Sequence, residues 1–150
     1  MRDGKSFRAK GNQQIKRLIE LELVAICNPE FLVAERELTL TEILSFPLIQ
    51  GTHRRWDQLF EQEGTPKALE TLNFNSASLV IDAAINMQGI AIVPLLFVQD
   101  DIKAGRLKEV WRDKTPSGEF LFLMWPRNDR PSKPIADLVR WIQAEFDHDI

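Results

Sequence analysis

Tyrosine is absent from this 150-residue chain, cysteine occurs once and histidine twice, so few side chains are left for covalent or acid–base chemistry. The single cysteine, Cys27, excludes an internal disulfide. It stands in the apolar run 23–27 and is expected to pack as a small hydrophobe. A chain that forms no disulfide is read most simply as cytoplasmic. His53, beside Thr52 and near Asp57, reads as a polar loop histidine at a helix start. His148, flanked by Asp147 and Asp149, reads as solvated. Metal-ligand clusters with recognised spacing are missing, as are a phosphate-cradling glycine loop and a nucleophile elbow. The chain is therefore expected to be no enzyme and to need neither cofactor nor metal. No apolar run approaches the roughly 20 residues that span a bilayer, so no membrane partner is expected. The basic start of the chain has no apolar segment behind it and is no secretory signal. An excess of positive charge is missing too: 19 Lys and Arg stand against 22 Asp and Glu. A net charge of −3 argues against phosphate binding over the whole surface. Lys5, Arg8, Lys10, Lys16 and Arg17 form a local basic stretch that reads as a solvated leader.

The rest of the chain has clear periodicity. Residues 1–14 are polar and aperiodic, so they read as loop. In residues 18–27, Leu21 and Leu23 alternate with Glu20 and Glu22 before the run turns wholly apolar, which predicts one strand ended by Asn28 and Pro29. Thr39 and Glu42 have capping-box spacing and predict a short helix over Ile43 and Leu44. Residues 46–50 form a buried strand, after which Thr52 is expected to cap a helix with Trp56, Leu59 and Phe60 on one face. That helix should end at 64–66, before a strand at 69–74. Asn75 and Ser76 open the clearest helix, with Leu79, Val80, Ala83, Ala84 and Met87 at helical spacing and Gly89 as its stop. Residues 90–93 are an apolar strand ended by Pro94. Residues 95–104 read as a helix stopped by Gly105, and 107–111 as a strand. A turn at 116–118 leads to a strand at 120–125, and Ile135, Leu138, Val139, Ile142 and Phe146 mark a last amphipathic helix. Trp56 reads as core. Trp111, Trp125 and Trp141 read as core or subdomain packing.

Strands alternating with helices predict an α/β fold with a largely parallel sheet. Such sheets bind ligands beyond the carboxyl ends of their strands, at helix N-termini. Two strand-to-helix junctions qualify, at 50–56 and 74–78. Asn75, Ser76 and Ser78 either cap a helix or offer its free N–H groups to an anion, and the two roles are compatible. Arg54 and Arg55 are either surface charge or a forked partner for a carboxylate.

The ordered series of segments resembles the effector-binding domain of LysR-type transcription regulators. It comprises residues 23–29 (LVAICNP), 38–49 (LTLTEILSFPLI), Trp56 with Gly64, Phe74-Asn75-Ser76 through Ala83-Ala84, and 89–94 (GIAIVP). Asp101, Gly105-Arg106-Leu107, residues 120–126 and Val139-Arg140-Trp141-Ile142 complete it. The series covers about residues 20–146 and is similar to the glycine-cleavage-activator branch of the family. The resemblance implies a type II periplasmic-binding-protein-like α/β fold: two subdomains with a ligand cleft between them and two crossover strands as hinge. Residues 1–28 would then be a remnant of the first subdomain with one hinge strand. Residues 29–118 would be the second subdomain, and 119–150 the other hinge strand with a helix returning to the first. The implied effector-binding residues are Thr52, His53, Arg54, Asn75, Ser76 and Trp125. The implied partners are a small, anionic metabolite and a second copy of the chain. DNA would be reached only through the family's winged helix-turn-helix, which lies upstream of the matching segments. Two rival readings remain open, an interaction module that pairs with full-length regulators and a small-molecule enzyme domain of similar fold.

Overall fold

The structure is a computed structural model that describes residues 11–65, 70–127 and 132–147. The chain divides into two compact units, one of residues 1–21 with 116–150 and one of residues 22–115. Along the described residues the strands are β1 (Gln13–Glu20), β2 (Leu23–Cys27), β3 (Leu48–Gln50), β4 (Thr71–Asn73), β5 (Ile90–Pro94), β6 (Lys108–Arg112) and β7 (Phe120–Pro126). The helices are α1 (Leu40–Ile43), α2 (Arg55–Glu63), α3 (Ala77–Ile85), α4 (Gln99–Lys103) and α5 (Lys133–Asp147).

The unit of residues 22–115 is built on a five-stranded sheet in the order β4-β3-β5-β2-β6. β3 runs parallel to β4 and β5, whereas β2 runs antiparallel to β5 and β6. The sheet is therefore mixed, not largely parallel as expected. Its central strands are apolar on both faces. Ala25, Cys27, Leu48, Ile90 and Ile92 point to one layer with Trp56, Leu59 and Phe60 of α2. Val24, Ile26, Ile49, Ala91 and Val93 point to the other with Val80, Ala83 and Ala84 of α3. This period-two division puts α2 and α3 on opposite faces. Trp56 is fully buried, donates from Nε1 to the Ile90 carbonyl at 3.2 Å and stacks on Phe60 at 5.5 Å.

Local sequence accounts for most element ends. The capping box of α1 is complete: Glu42 N donates to Thr39 Oγ1 at 3.2 Å and Thr39 N to Glu42 Oε2 at 2.8 Å. Arg36 grips the same Glu42 carboxylate, and these hydrogen bonds hold its pKa down to about 2. Gly64 ends α2 in the left-handed conformation, with Thr65 N returning to the Phe60 carbonyl.

The end of α3 departs from expectation. The helix stops at Ile85, and Met87 occupies the left-handed position with φ 62 while Gln88 N returns to the Ala83 carbonyl. Met87 and Leu79 are exposed, so the buried stripe is Val80, Ala83 and Ala84 alone. Gly89 has a different task. Its φ is 157, and a Cβ there would fall on the Pro47 carbonyl, which accepts the Ile90 N–H at 2.9 Å. The stretch 95–104 is also split, into a 3₁₀ turn (Leu95–Phe97) and α4, at buried Val98 with φ −125.

The unit of residues 1–21 with 116–150 holds a two-stranded antiparallel sheet of β1 and β7 and the helix α5. The expected single strand at 18–27 is thus two strands, broken at Leu21 and Glu22, and β1 begins inside the stretch expected to be loop. Arg17 lies 4.0 Å over the Phe120 ring across this sheet. Trp125 is half-buried opposite Gln14, while Trp141 on α5 is 61% exposed and is not core. Residues 1–10, Pro66, Leu69 and His148, which carried expectations above, lie outside the described residues.

Two substitutions should move stability in opposite directions. Gly89→Ala should cost about 2 kcal/mol or more, from strain and the clash with Pro47. Met87→Gly should add about 1 kcal/mol by relieving a left-handed side chain. Urea unfolding of both variants checks the pair, and equal midpoints would contradict the assignment of the two roles.

Candidate functional site

β3 and β4 are adjacent and parallel, but the connection leaving β3 runs to α2 on one face and that leaving β4 runs to α3 on the other. Diverging connections open a crevice at the carboxyl ends of the strands. A hollow of about 180 Å³ lies there, lined by Gly51, Thr52, His53 and Arg55 after β3 and by Asn75, Ser76, Ala77 and Val80 after β4. Ile92, Val93, Pro94 and Phe97, at the end of β5, supply an apolar wall. Sites that bury a drug-sized molecule run to roughly 300–1,000 Å³, so this hollow holds a ligand of few heavy atoms or one end of a larger one.

One wall opens with the first turn of α3. Ser76 is its N-cap, with Oγ accepting from Leu79 N at 3.3 Å and lying 3.2 Å from Ser78 Oγ. The capping reading of Ser76 therefore holds, and Asn75 stands exposed beside it. The other wall is a tight turn in which Arg54 N donates to the Gly51 carbonyl at 3.0 Å and Arg54 adopts φ 48, ψ 48. Thr52 does not cap α2 as expected. Arg54 is the N-cap residue and makes no side-chain capping bond, and Gln58 Nε2 reaches the His53 carbonyl at 3.0 Å.

Gln50 underlies both walls. It is 1% exposed, and its Nε2 donates to Asp57 Oδ2 and Asn73 Oδ1, each at 3.0 Å. Asp57 N donates back to Gln50 Oε1 at 3.2 Å, and Arg54 Nε donates to Asp57 Oδ2 at 2.9 Å. No buried side-chain nitrogen or oxygen among the described residues lacks a hydrogen-bond partner.

The structure thus brings Thr52, His53, Asn75 and Ser76 to one hollow. Arg54 is turned away to pair with Asp57 and borders an open groove beside α2 with Gln58 and Glu61. Its neighbour Arg55 lines the hollow instead. Trp125 belongs to β7 of the other unit. Sequence reasoning did not single out Gln50, although a polar residue ending an apolar strand was visible. Nor did it include the wall from Ile92 to Phe97, whose exposed Phe97 after Pro94 carried no periodic signal. Among the described residues no three His, Cys, Asp or Glu are placed to hold a metal ion, and no helix is long and apolar enough to cross a membrane. Cys27 is fully buried, and desolvation pushes its thiol up to about 11 despite the nearby charge of Lys108.

A sheet covered on both faces, with a polar hollow beyond its parallel strand ends, defines an α/β ligand-binding domain of the periplasmic-binding-protein-like kind. The chain belongs to the LysR substrate binding domain family, whose model matches residues 11–147. It is similar to the glycine cleavage system transcriptional activator of Escherichia coli (strain K12), with 28% identity over 150 residues, 93% of this chain and 48% of that protein. It is also similar to the HTH-type transcriptional activator AmpR of Citrobacter koseri, with 26% identity over 128 residues, 83% of this chain and 43% of that one. The chain therefore spans about half the length of the curated relatives it matches. The AmpR effector binding domain from Citrobacter freundii superposes with a TM-score of 0.74 at 19% identity, covering 93% of this chain and 70% of that one. The likeness bears out the fold and the resemblance to the glycine-cleavage-activator branch.

Burial of Cys27 has a consequence for pH. Its folded pKa of about 11 lies above the ordinary thiol value of 9.0, so the folded state keeps a proton that the unfolded chain loses. That contribution is whole below about pH 9 and falls away between about 9 and 11, by about 2 kcal/mol at most. Urea midpoints measured from pH 8 to 11 should drop more steeply for the native chain than for Cys27→Ala. Parallel slopes would contradict the assignment.

Proposed function

We propose that this domain senses a small anionic metabolite and serves as the effector-binding half of a LysR-type transcription regulator. The observation that carries this reading is the hollow at the carboxyl ends of β3, β4 and β5. There the N-terminus of α3, the polar groups of Thr52, His53, Asn75 and Ser76, and Arg55 share one space. Backbone N–H groups and the helix dipole favour negative charge at that point. Among the described residues that line the hollow there is no carboxylate. The apolar wall of Ile92, Val93, Pro94 and Phe97 suits a short hydrocarbon part beside the charged group. Trp125 and Arg54 are kept in this proposal as peripheral contributors. The subdomain assignment of residues 1–28, 29–118 and 119–150, with residues 21–28 and 119–126 as hinge strands, belongs to the same reading. An effector acts by binding one arrangement of such a domain more tightly than the other, and only that difference shifts the balance. A DNA-binding domain on the same polypeptide would receive the shift, and cytoplasmic residence follows from that task. The relatives matched by sequence are transcriptional activators by name, which favours regulation over turnover.

Calorimetric titration with acetate, glycine, benzoate and inorganic phosphate, each compared with a neutral analogue such as acetamide or benzamide, tests the site. At least one anion should bind while its neutral analogue does not. Asn75→Ala should weaken that binding tenfold or more, about 1.4 kcal/mol, while changing stability by less than about 0.5 kcal/mol. Ser76→Ala should weaken binding and also remove a cap worth about 1 kcal/mol. Neutral analogues binding as well as the acids, or undiminished binding by Asn75→Ala, would defeat the assignment.

Self-association is the second part of the proposal. A two-stranded sheet is marginal alone, and α5 beside it has no fully buried residue, with Leu138 and Trp141 both more than half exposed. Sedimentation velocity should find a dimer at micromolar concentration, and Trp141→Glu should shift it toward monomer. A monomeric native chain would reject this part while leaving the effector reading intact.

A further inference from the structure

We infer that Gln50 is the positioning residue of the candidate site, and that its buried side chain holds the two walls of the hollow in register. This rests on the reading of that hollow as an effector site. Gln50 is not among the residues that line it, so its influence is through others. It is the one buried polar residue among the described residues, and it sits at the last position of β3, where the strand hands over to the first wall. An apolar side chain would complete the cluster of Leu48, Trp56 and Phe60 if packing were the whole task. Instead the carboxamide uses its polar atoms on two different segments. Its Nε2 donates to Asn73 Oδ1 at the end of β4, where the second wall begins, and to Asp57 Oδ2 in the first turn of α2. Its Oε1 accepts the Asp57 N–H at 3.2 Å. Its own backbone carbonyl accepts Phe74 N–H at 3.0 Å, so main chain and side chain both tie β3 to the second wall.

The Asp57 carboxylate passes this constraint to the first wall. It takes Arg54 Nε at 2.9 Å, and Arg54 is held in a left-handed conformation that a non-glycine residue adopts only under such restraint. A left-handed Arg54 is what reverses the chain between Gly51 and Arg55, leaving Thr52 and His53 on the hollow and starting α2 with Arg55 there too. One amide group therefore bridges the segments that carry Thr52, His53 and Arg55 to those that carry Asn75 and Ser76. The Gln50 carboxamide itself is buried, so a bond lost there leaves one of its polar atoms without a partner where water does not reach, while its partners lie nearer the surface.

Amide hydrogen exchange by NMR on the full chain tests this without any ligand, so its outcome is separable from the anion titration above. Gln50→Met keeps the side chain's length and removes its polar atoms. The amides of Arg54 and Phe74, one in each wall, should then accelerate at least tenfold more than those of Ala25 and Ile92, which report opening of the whole sheet. Equal acceleration at all four would mean that Gln50 serves only general stability and would overturn the inference. No acceleration at all would do the same. Should Gln50→Met fail to fold, Asn73→Ala cuts one arm at an exposed position. Phe74 should then accelerate at least fivefold with Arg54 within twofold. Unchanged exchange at Phe74 would overturn the bridging role. If the walls loosen as expected but no anion ever binds, Gln50 remains the residue that organises the hollow and the effector reading alone falls.

Discussion

A strand that is apolar on both faces must be covered twice, and the rest of the larger unit follows from that constraint. β2 and β5 have fully buried residues alternating between two apolar layers, so neither face can be left to water. The chain meets the requirement by sending α2 to one side and α3 to the other. Since these helices follow adjacent parallel strands, the connections to them must part at the strand ends. The hollow is thus a by-product of covering the sheet. Its polar lining is equally constrained, because the residues there are the starts of helices, with backbone N–H groups that have no partner within the helix.

The same geometry explains why a polar side chain is buried at this one place. Where the two connections part, packing alone no longer specifies the path of the chain, and a directional bond is the cheaper way to do so. Gln50 supplies donors and an acceptor in a fixed planar arrangement, which meet the short side chains of Asp57 and Asn73 and the main chain of Asp57. Elsewhere the chain uses the opposite solution. At Gly89 a missing side chain allows the main chain to press against Pro47, which sets β5 next to β3 without any polar side chain. One junction is held by hydrogen bonds and the other by close approach, and the two lie at opposite ends of the parallel strands.

Much of this was legible in the sequence because the signals are local. The capping box at Thr39 and Glu42, the buried face of Trp56, Leu59 and Phe60, the strand 90–93 and the position of Ser76 before α3 each depend on a few neighbouring residues. What failed depended on the turn beyond the element. Leu79 and Met87 fit the helical period of α3, but Val80, Ala83 and Ala84 already fill the space against the sheet, and the helix closes at Met87 without a glycine. The single strand expected at 18–27 has continuous alternation through Leu21 and Leu23, yet the strand breaks at Leu21 and Glu22 and the stretches on either side pair in different sheets. Periodicity says that a segment is extended; it does not say which neighbour the strand pairs with. Trp141 shows the same limit on a helix, since an amphipathic pattern identifies an apolar face but not what lies against it.

Of the two arginines that the sequence offers at this junction, the structure brings Arg55 and not Arg54 to the hollow, and the reason is physical. Arg54 and Arg55 are chemically identical and adjacent, so no property of sequence separates them. What separates them is the sign of one φ angle. With Arg54 left-handed, its side chain is directed along α2 to Asp57, three residues on, and Arg55 becomes the first helical residue and faces the hollow. The choice is made by Asp57 and, behind it, by Gln50, neither of which is a plausible ligand contact when read in isolation. Residues that touch a ligand can be nominated from their chemistry, whereas those that decide which of two equal candidates will touch it act through conformation. They become visible only when the hydrogen bonds of the turn are followed inward to the buried group on which they end.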